Sequence, residues 1–108
     1  FIFNEVSLPA LSMSKNRQPN RINILRKAYP NPFNSNTTIE FSVNNNFENF
    51  ELIIFDINGR RLETLFSGYI EPGLKLIQWN ADRYSSGIYF VVLETKYYIE
   101  SKKLILVK

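Results

Sequence analysis

The sequence of 108 residues contains no cysteine and no histidine. The chain therefore has no thiolate nucleophile, no disulfide, no imidazole base and neither of the two commonest zinc ligands. These absences exclude most familiar catalytic arrangements, and we expect no metal, no cofactor and no enzymatic activity. Acidic residues fall singly along the chain, which favours a solvated β surface over a glycosidase-type carboxylate pair, although such pairing is spatial and the sequence leaves it open.

Long apolar runs are also missing. The longest, such as Leu104–Val107, fall far short of the about 20 residues that a membrane-spanning helix needs, so we do not expect a transmembrane protein. The net charge of +3 is weak beside the clustered basic stripe of a nucleic-acid-binding protein, and no nucleic-acid partner is expected. Residue 1 is Phe and no secretory signal peptide is visible, so we expect the chain to be a piece of a longer protein.

Aromatic residues, in contrast, are abundant, with nine Phe, six Tyr and one Trp. Large rings with β-branched neighbours favour strands that pack on one another. Residues 8–23 are rich in Ser, Asn, Pro and Arg and show neither a helix period nor a strand period, which is typical of a linker. We predict that residues 1–21 are the end of a preceding domain, with Phe1–Val6 as its final strand, and a linker, and that residues 22–108 form one folded domain.

The folded part contains seven strand candidates separated by turn residues. In the clearest of them, Ile39, Phe41 and Val43 alternate with polar residues, which is the period-two pattern of a half-buried strand. Trp79 is the expected core anchor. Short strands at regular spacing favour an all-β, immunoglobulin-like antiparallel β-sandwich of about seven strands. The predicted strands are Ile22–Lys27, Thr37–Val43, Phe50–Ile57, Arg60–Phe66, Lys75–Trp79, Ile88–Thr95 and Lys102–Val107.

Three turn motifs are expected to be structural. The run Pro30, Asn31, Pro32 predicts a rigid corner, because proline fixes its own φ and restricts the residue before it to extended or turn geometry. The pair Asn58, Gly59 predicts a hairpin with a type I′ turn, which needs a positive φ at both central positions. Gly87 closes a further turn signal that begins with two serines.

Two surface features have competing interpretations. Exposed tyrosines on a sandwich can stack on sugar rings, but aromatic residues in sandwiches are more often core residues or cross-strand pairs. The lysines near the end of the chain, Lys102, Lys103 and Lys108, bracket an apolar strand, and charges that guard an edge strand against aggregation explain them sufficiently. The tyrosines concerned are Tyr69, Tyr84, Tyr97 and Tyr98.

Four stretches together resemble the C-terminal sorting domains of the type IX secretion system. Each stretch is weak alone, but their order and spacing make the combination fairly specific. The resemblance covers Tyr29–Lys108, about three quarters of the chain. The stretches are Ala28–Asn34 with Thr37–Ile39, then Phe55–Arg60, then Ser86–Val91, and finally Lys102–Lys108.

The resemblance implies a non-catalytic sorting signal at the end of a secreted passenger protein. The implied partners are an N-terminal passenger domain, the outer-membrane secretion machinery that recognises the signal, and a sortase-like peptidase that removes it. The passenger is exported through the periplasm and outer membrane, and is then attached to the cell surface or secreted. The alternative function is a structural or adhesive immunoglobulin-like accessory module, with carbohydrate binding as one option. The implied recognition residues are Lys102, Lys103, Leu104, Ile105, Leu106, Val107 and Lys108.

Overall fold

The computed structural model describes residues 24–108, which form two packed β-sheets with no helix. This confirms the predicted all-β sandwich of about seven strands. The segment Phe1–Val6 and the linker predicted after it lie outside the described residues. The strands are β1 Leu25–Tyr29, β2 Asn36–Val43, β3 Phe47–Asp56, β4 Arg61–Ile70, β5 Gly73–Asn80, β6 Gly87–Glu94 and β7 Ile99–Leu106.

The two sheets differ in width. One sheet has three strands in the order β1-β2-β5, and the other has four in the order β4-β3-β6-β7. Every pair of neighbouring strands is antiparallel. In the constant-type immunoglobulin fold the fourth strand joins the sheet of the first two. Here β4 pairs with β3 instead, which leaves β5 as an edge strand of the narrower sheet.

Side-chain periodicity explains why the sheets pack together. On β2, alternate residues from Thr37 to Val43 are buried, so one face of the strand covers the core. The internal strands β3 and β6 carry apolar residues on both faces, as at Ile53 and Ile54 or Val91 and Val92. Each fully buried side chain of this size contributes roughly 1.5–3 kcal/mol relative to an exposed one. Burial on both faces of the central strands therefore stabilises the fold.

Aromatic rings form the centre of the core around Trp79, whose exposed fraction is 1%. The rings of Phe33, Tyr84 and Tyr89 lie with centroids 5.6–5.7 Å from Trp79 in tilted or edge-on arrangements, which suit the charge distribution of aromatic rings. The indole N–H of Trp79 and the hydroxyl of Tyr84 both donate to Oε1 of Glu63, at 3.0 and 3.2 Å. The polar atoms of the cluster are thus paired inside the sandwich.

Several strand ends differ from the predicted ones. The strand β3 begins at Phe47, three residues before the predicted Phe50, and β4 ends at Ile70, four residues after the predicted Phe66. The first strand begins later and ends later than the predicted Ile22–Lys27, because its pairing with β2 continues to Tyr29 after a local register shift. The last strand begins at Ile99, three residues before the predicted start. Its polar first half pairs with β6 as regularly as its apolar second half does. The start of this strand is therefore set by main-chain pairing, which the pattern of apolar residues does not report.

The hairpin between β3 and β4 is present, but the predicted type I′ turn is wrong. Gly59 has a φ of 83°, whereas no residue other than glycine has a positive φ in residues 24–108. The Gly59 N–H donates to the Asp56 carbonyl and the Asp56 N–H donates to the Arg60 carbonyl, both at 3.0 Å. This is a three-residue hairpin in which one glycine adopts the left-handed conformation.

The carboxylate of Asp56 explains the choice of turn. Its Oδ1 accepts the backbone N–H groups of Asn58 and Arg60, both at 2.9 Å, and its Oδ2 accepts the Arg60 guanidinium at 2.9 Å. Burial alone would raise the pKa of Asp56, but these hydrogen bonds outweigh burial and lower the pKa below its ordinary value. A two-residue turn would leave this carboxylate without its backbone donors.

Replacement of the charge, Asp56→Asn, should therefore destabilise the domain by about 1–2 kcal/mol at pH 7, since hydrogen bonds to a charged group are the stronger ones. The pKa of the native carboxyl group is depressed, so its stabilisation is complete above a pH of about 4 and is lost as the pH falls further. The difference between variant and native protein should shrink accordingly. Denaturant unfolding at pH 7 and pH 3, followed by Trp79 fluorescence, measures both values.

The exposed Asp82 gives the matched control. The variant Asp82→Asn makes the same chemical change and should leave the unfolding free energy unchanged within a few tenths of a kcal/mol. An equal loss for Asp56→Asn at both pH values would contradict the electrostatic explanation.

Candidate functional site: the C-terminal strand

The residues of the implied sorting signal lie on β7 and just after it, at an edge of the four-stranded sheet. Successive side chains of a strand point to opposite faces. Leu104 and Leu106 point into the core and are fully buried. Lys103 and Ile105 lie on the outer face, beside Phe90 and Ile88 of β6. The signal is thus divided between core residues and accessible ones.

The three lysines do not form one cluster. Lys102 shares the inward face with Leu104 and is half-buried, whereas Lys103 is exposed on the opposite face. Lys108 follows the strand and folds back on the loop between β5 and β6, where its N–H donates to Ser86 Oγ at 3.0 Å and its ammonium group donates to the Asp82 carbonyl. Only Lys103 and Lys108 present largely exposed positive charges.

The corner residue Asn31 covers the free edge of β7. Its side-chain N–H donates to the Lys103 carbonyl, and its Oδ1 accepts the Ile105 N–H, both at 2.9 Å. The amide group of Asn31 therefore replaces the donor and acceptor that a neighbouring strand would supply. The flanking bonds, Tyr29–Pro30 and Asn31–Pro32, are both cis, and Thr37 Oγ1 donates to the Pro30 carbonyl at 2.7 Å.

Phe33 extends this cover by two residues. Its N–H donates to the Ile105 carbonyl at 2.9 Å, and its carbonyl accepts the Val107 N–H at 2.8 Å, in a short parallel bridge. The ring of Phe33 is buried against Trp79. The corner is thereby fixed to the last strand by its backbone and to the core by its side chain.

The entry of the chain is tied to the same strand. Both carboxylate oxygens of Glu100 accept backbone N–H groups, from Leu25 at 2.7 Å and from Ile24 at 3.2 Å. These donors lie at the start of β1, which packs against β7. The first described residues and the last strand are therefore neighbours on the same side of the sandwich.

Residues 24–108 offer little for chemistry at this site. They contain no group of three or more acidic side chains placed to hold a metal ion, and no helix that could cross a membrane. The candidate sugar-binding tyrosines do not assemble into one platform: Tyr84 packs on Trp79, Tyr98 packs edge-on against Phe47, and Tyr69 and Tyr97 lie on different strands or turns. The accessible features of the site are a strand face and two ammonium groups.

The fold and this edge define a class of protein, a small immunoglobulin-like domain whose terminal strand is covered by the corner at residues 30–33. A family model described as "Secretion system C-terminal sorting domain" matches residues 27–108. The chain belongs to this family of type IX secretion sorting domains, which implies attachment to a passenger and export to the cell surface or the extracellular space. Comparisons with curated proteins and with solved structures find no match.

The contacts of Asn31 and Glu100 were missed by the sequence analysis. The residues that they bind lie 72–76 positions away along the chain, so no local period reports them. The available signal was an Asn between two prolines, which indicated a corner but not its partner. The structure adds that this corner covers the implied recognition strand.

Loss of the Asn31 amide, Asn31→Ala, should expose the edge of β7. Two side-chain hydrogen bonds disappear, which should lower the unfolding free energy by about 1 kcal/mol, because both lie near solvent. The Ile105 amide should exchange with solvent faster than in the native protein, as measured by NMR-detected hydrogen exchange. The nearby variant Asn34→Ala is the control, and equal protection of Ile105 in both variants would refute the role of Asn31.

Proposed function

We propose that this domain is a sorting signal that directs a passenger fused upstream through the type IX outer-membrane translocon. After passage, a sortase-like peptidase removes the domain and the passenger is attached to the surface or released. The observation that carries the proposal is the family match over residues 27–108. The geometry of β7 supports it, because the strand presents accessible side chains from a folded scaffold.

The seven signal residues have different roles in this proposal. Leu104 and Leu106 anchor β7 in the core, since each is at most 1% exposed. Ile105 and Val107 are partly or largely accessible and supply apolar contact area. Lys103 and Lys108 supply positive charge, and Lys102, half-buried on the inward face, supports the strand.

The covered edge favours recognition through side chains. A partner that added a strand to β7 would have to displace both Asn31 and Phe33, which already bond to the residues from Lys103 to Val107. Contact with the outer face requires no such displacement. Complementary charge speeds the encounter of two proteins and favours the correct partner. The partner surface that binds Lys103 and Lys108 should therefore be acidic.

Charge reversal tests this reading directly. In a type IX-competent cell, a reporter fused ahead of residues 1–108 and carrying Lys103→Glu with Lys108→Glu should be exported about tenfold less, which corresponds to roughly 1.4 kcal/mol of lost binding. The reporter should accumulate in the periplasm, as measured by cell fractionation. Circular dichroism of the purified variant should show an unchanged β spectrum, because both side chains are exposed.

A double reversal elsewhere, Lys27→Glu with Lys96→Glu, makes the same change in net charge at exposed positions and should leave export normal. Normal export of the Lys103 and Lys108 variant would refute recognition through these charges. Deletion of residues 102–108 should also block export, although it removes the core residues Leu104 and Leu106. Export of a passenger without those seven residues would refute the sorting function itself.

A further inference from the structure

One side of the sandwich is closed and the other is open. The closed side is the contact between β1 and β7, where Glu100 binds the start of β1 and Phe33 bonds to the end of β7. On the open side, a groove of about 480 Å³ separates β4 from β5. The groove is predominantly apolar, and its lining includes Phe66, Tyr69, Ile70, Leu74, Leu76 and Ile77.

The edge of β5 is the part of this groove where a further strand could pair. Within residues 24–108 the strand pairs only with β2, and this pairing is regular over all eight residues. Natural edge strands are usually protected by charges, prolines or bulges. The pairing of β3 with β4 has three register irregularities, whereas the pairing of β2 with β5 has none. The strand β5 carries one charged residue, Lys75. Leu74 and Leu76 are 62% and 56% exposed.

The occupant that fits is an extended strand with apolar side chains on both faces. On β5, Lys75 and Ile77 point toward the other sheet, whereas Leu74 and Leu76 point outward. A strand added beside β5 would meet Phe66 and the groove on its inner face. Its outer face would need apolar side chains to pair with the two leucines. The narrow sheet has three strands and faces a sheet of four. One further strand beside β5 would therefore make the two sheets equal in width.

The segment Phe1–Val6 has this composition. Phe1 and Phe3 fall on one face of an extended chain, and Ile2 and Val6 fall on the other, with no proline or glycine between them. The segment carries a single charge, on Glu5. It therefore supplies apolar side chains in both directions, as the groove and the outer leucines require.

The chain between this segment and the sandwich is long enough. Ile24 accepts a hydrogen bond from Ser42, and Ser42 pairs with Leu74, so the entry of the chain and the start of β5 lie in one row across the sheet. A strand added beyond β5 would lie three strand spacings from this entry, about 14 Å. The 17 residues from 7 to 23 are enough to cover this distance, because a chain can span up to about 3.3–3.6 Å per residue.

We propose that Phe1–Val6 adds to the free edge of β5 as a fourth strand of the narrow sheet and fills the apolar groove, instead of closing a preceding domain. The interaction is strand addition, in which main-chain hydrogen bonds and pockets for alternate side chains act together. This assignment does not depend on the sorting function, because the groove lies on the side of the sandwich opposite β7.

A spin label on the segment locates it without assuming a register. The chain has no cysteine, so Asn4→Cys gives a unique site for a nitroxide on the full 108-residue protein. We expect loss of the amide signals of Phe66, Tyr69 and Leu76 in ¹⁵N-labelled protein. The signals of Ile57 and Asn58 in the hairpin, and of Lys103 on β7, should be retained. Reduction of the nitroxide should restore the lost signals.

A matched variant tests the apolar requirement. Adding Phe1→Ser, Ile2→Ser and Phe3→Ser to the labelled protein should restore the signals of β4 and β5, while the spectrum of residues 24–108 stays dispersed because no sandwich residue changes. Weak, uniform broadening in the unsubstituted protein would overturn the proposal. In a second experiment, spin-labelled ¹⁴N protein is mixed with ¹⁵N protein that carries no spin label. Loss of the groove signals in this mixture alone would also overturn the proposal, because it would assign the groove to a second copy of the chain.

Discussion

The packing of Phe33 is the interaction on which the closed side of this sandwich depends. Its backbone makes two hydrogen bonds to β7, and its ring lies 5.7 Å from the ring of Trp79 on β5. One residue therefore connects the last strand of one sheet to the central aromatic of the other. Among the described residues β7 pairs with one strand, β6, and the corner at residues 30–33 lies along its other edge.

The two sides of the sandwich solve the edge-strand problem differently. An exposed edge presents unpaired N–H and C=O groups that can pair with another chain. On β7 the Asn31 amide and the Phe33 backbone satisfy these groups, and two exposed lysines add charge. The edge of β5 has neither protection within residues 24–108. The same small fold thus keeps its terminal strand from pairing and leaves the opposite edge available for it.

Most of the fold could be predicted because its signals are local. Period-two burial defines β2, and runs that are apolar on both faces define the internal strands β3 and β6. The turn type at Gly59 was not predictable from the pair Asn58, Gly59, because the Asp56 carboxylate two residues earlier selects a three-residue loop. A pattern of two residues cannot include that third participant.

The candidate site was predictable only in its position. The lysines and the apolar run marked residues 102–108, but exposure along a strand depends on which sheet and which face the strand occupies. Lys102 and Lys103 are adjacent in the sequence and lie on opposite faces, so a run of basic residues is not a basic patch. The cover over β7 comes from residues more than seventy positions earlier, and such a contact follows from topology.

The position of the chain entry connects the fold to the passenger. Glu100 on β7 binds the backbone of Ile24 and Leu25, where the upstream part of the protein joins the sandwich. The two acceptor oxygens belong to one carboxylate that lies 75 and 76 positions further along the chain, so a single side chain joins the entry of the chain to β7. The start of β1 cannot separate from β7 without the loss of both hydrogen bonds, and the strand that carries the implied recognition residues therefore also fixes the point where the sandwich begins.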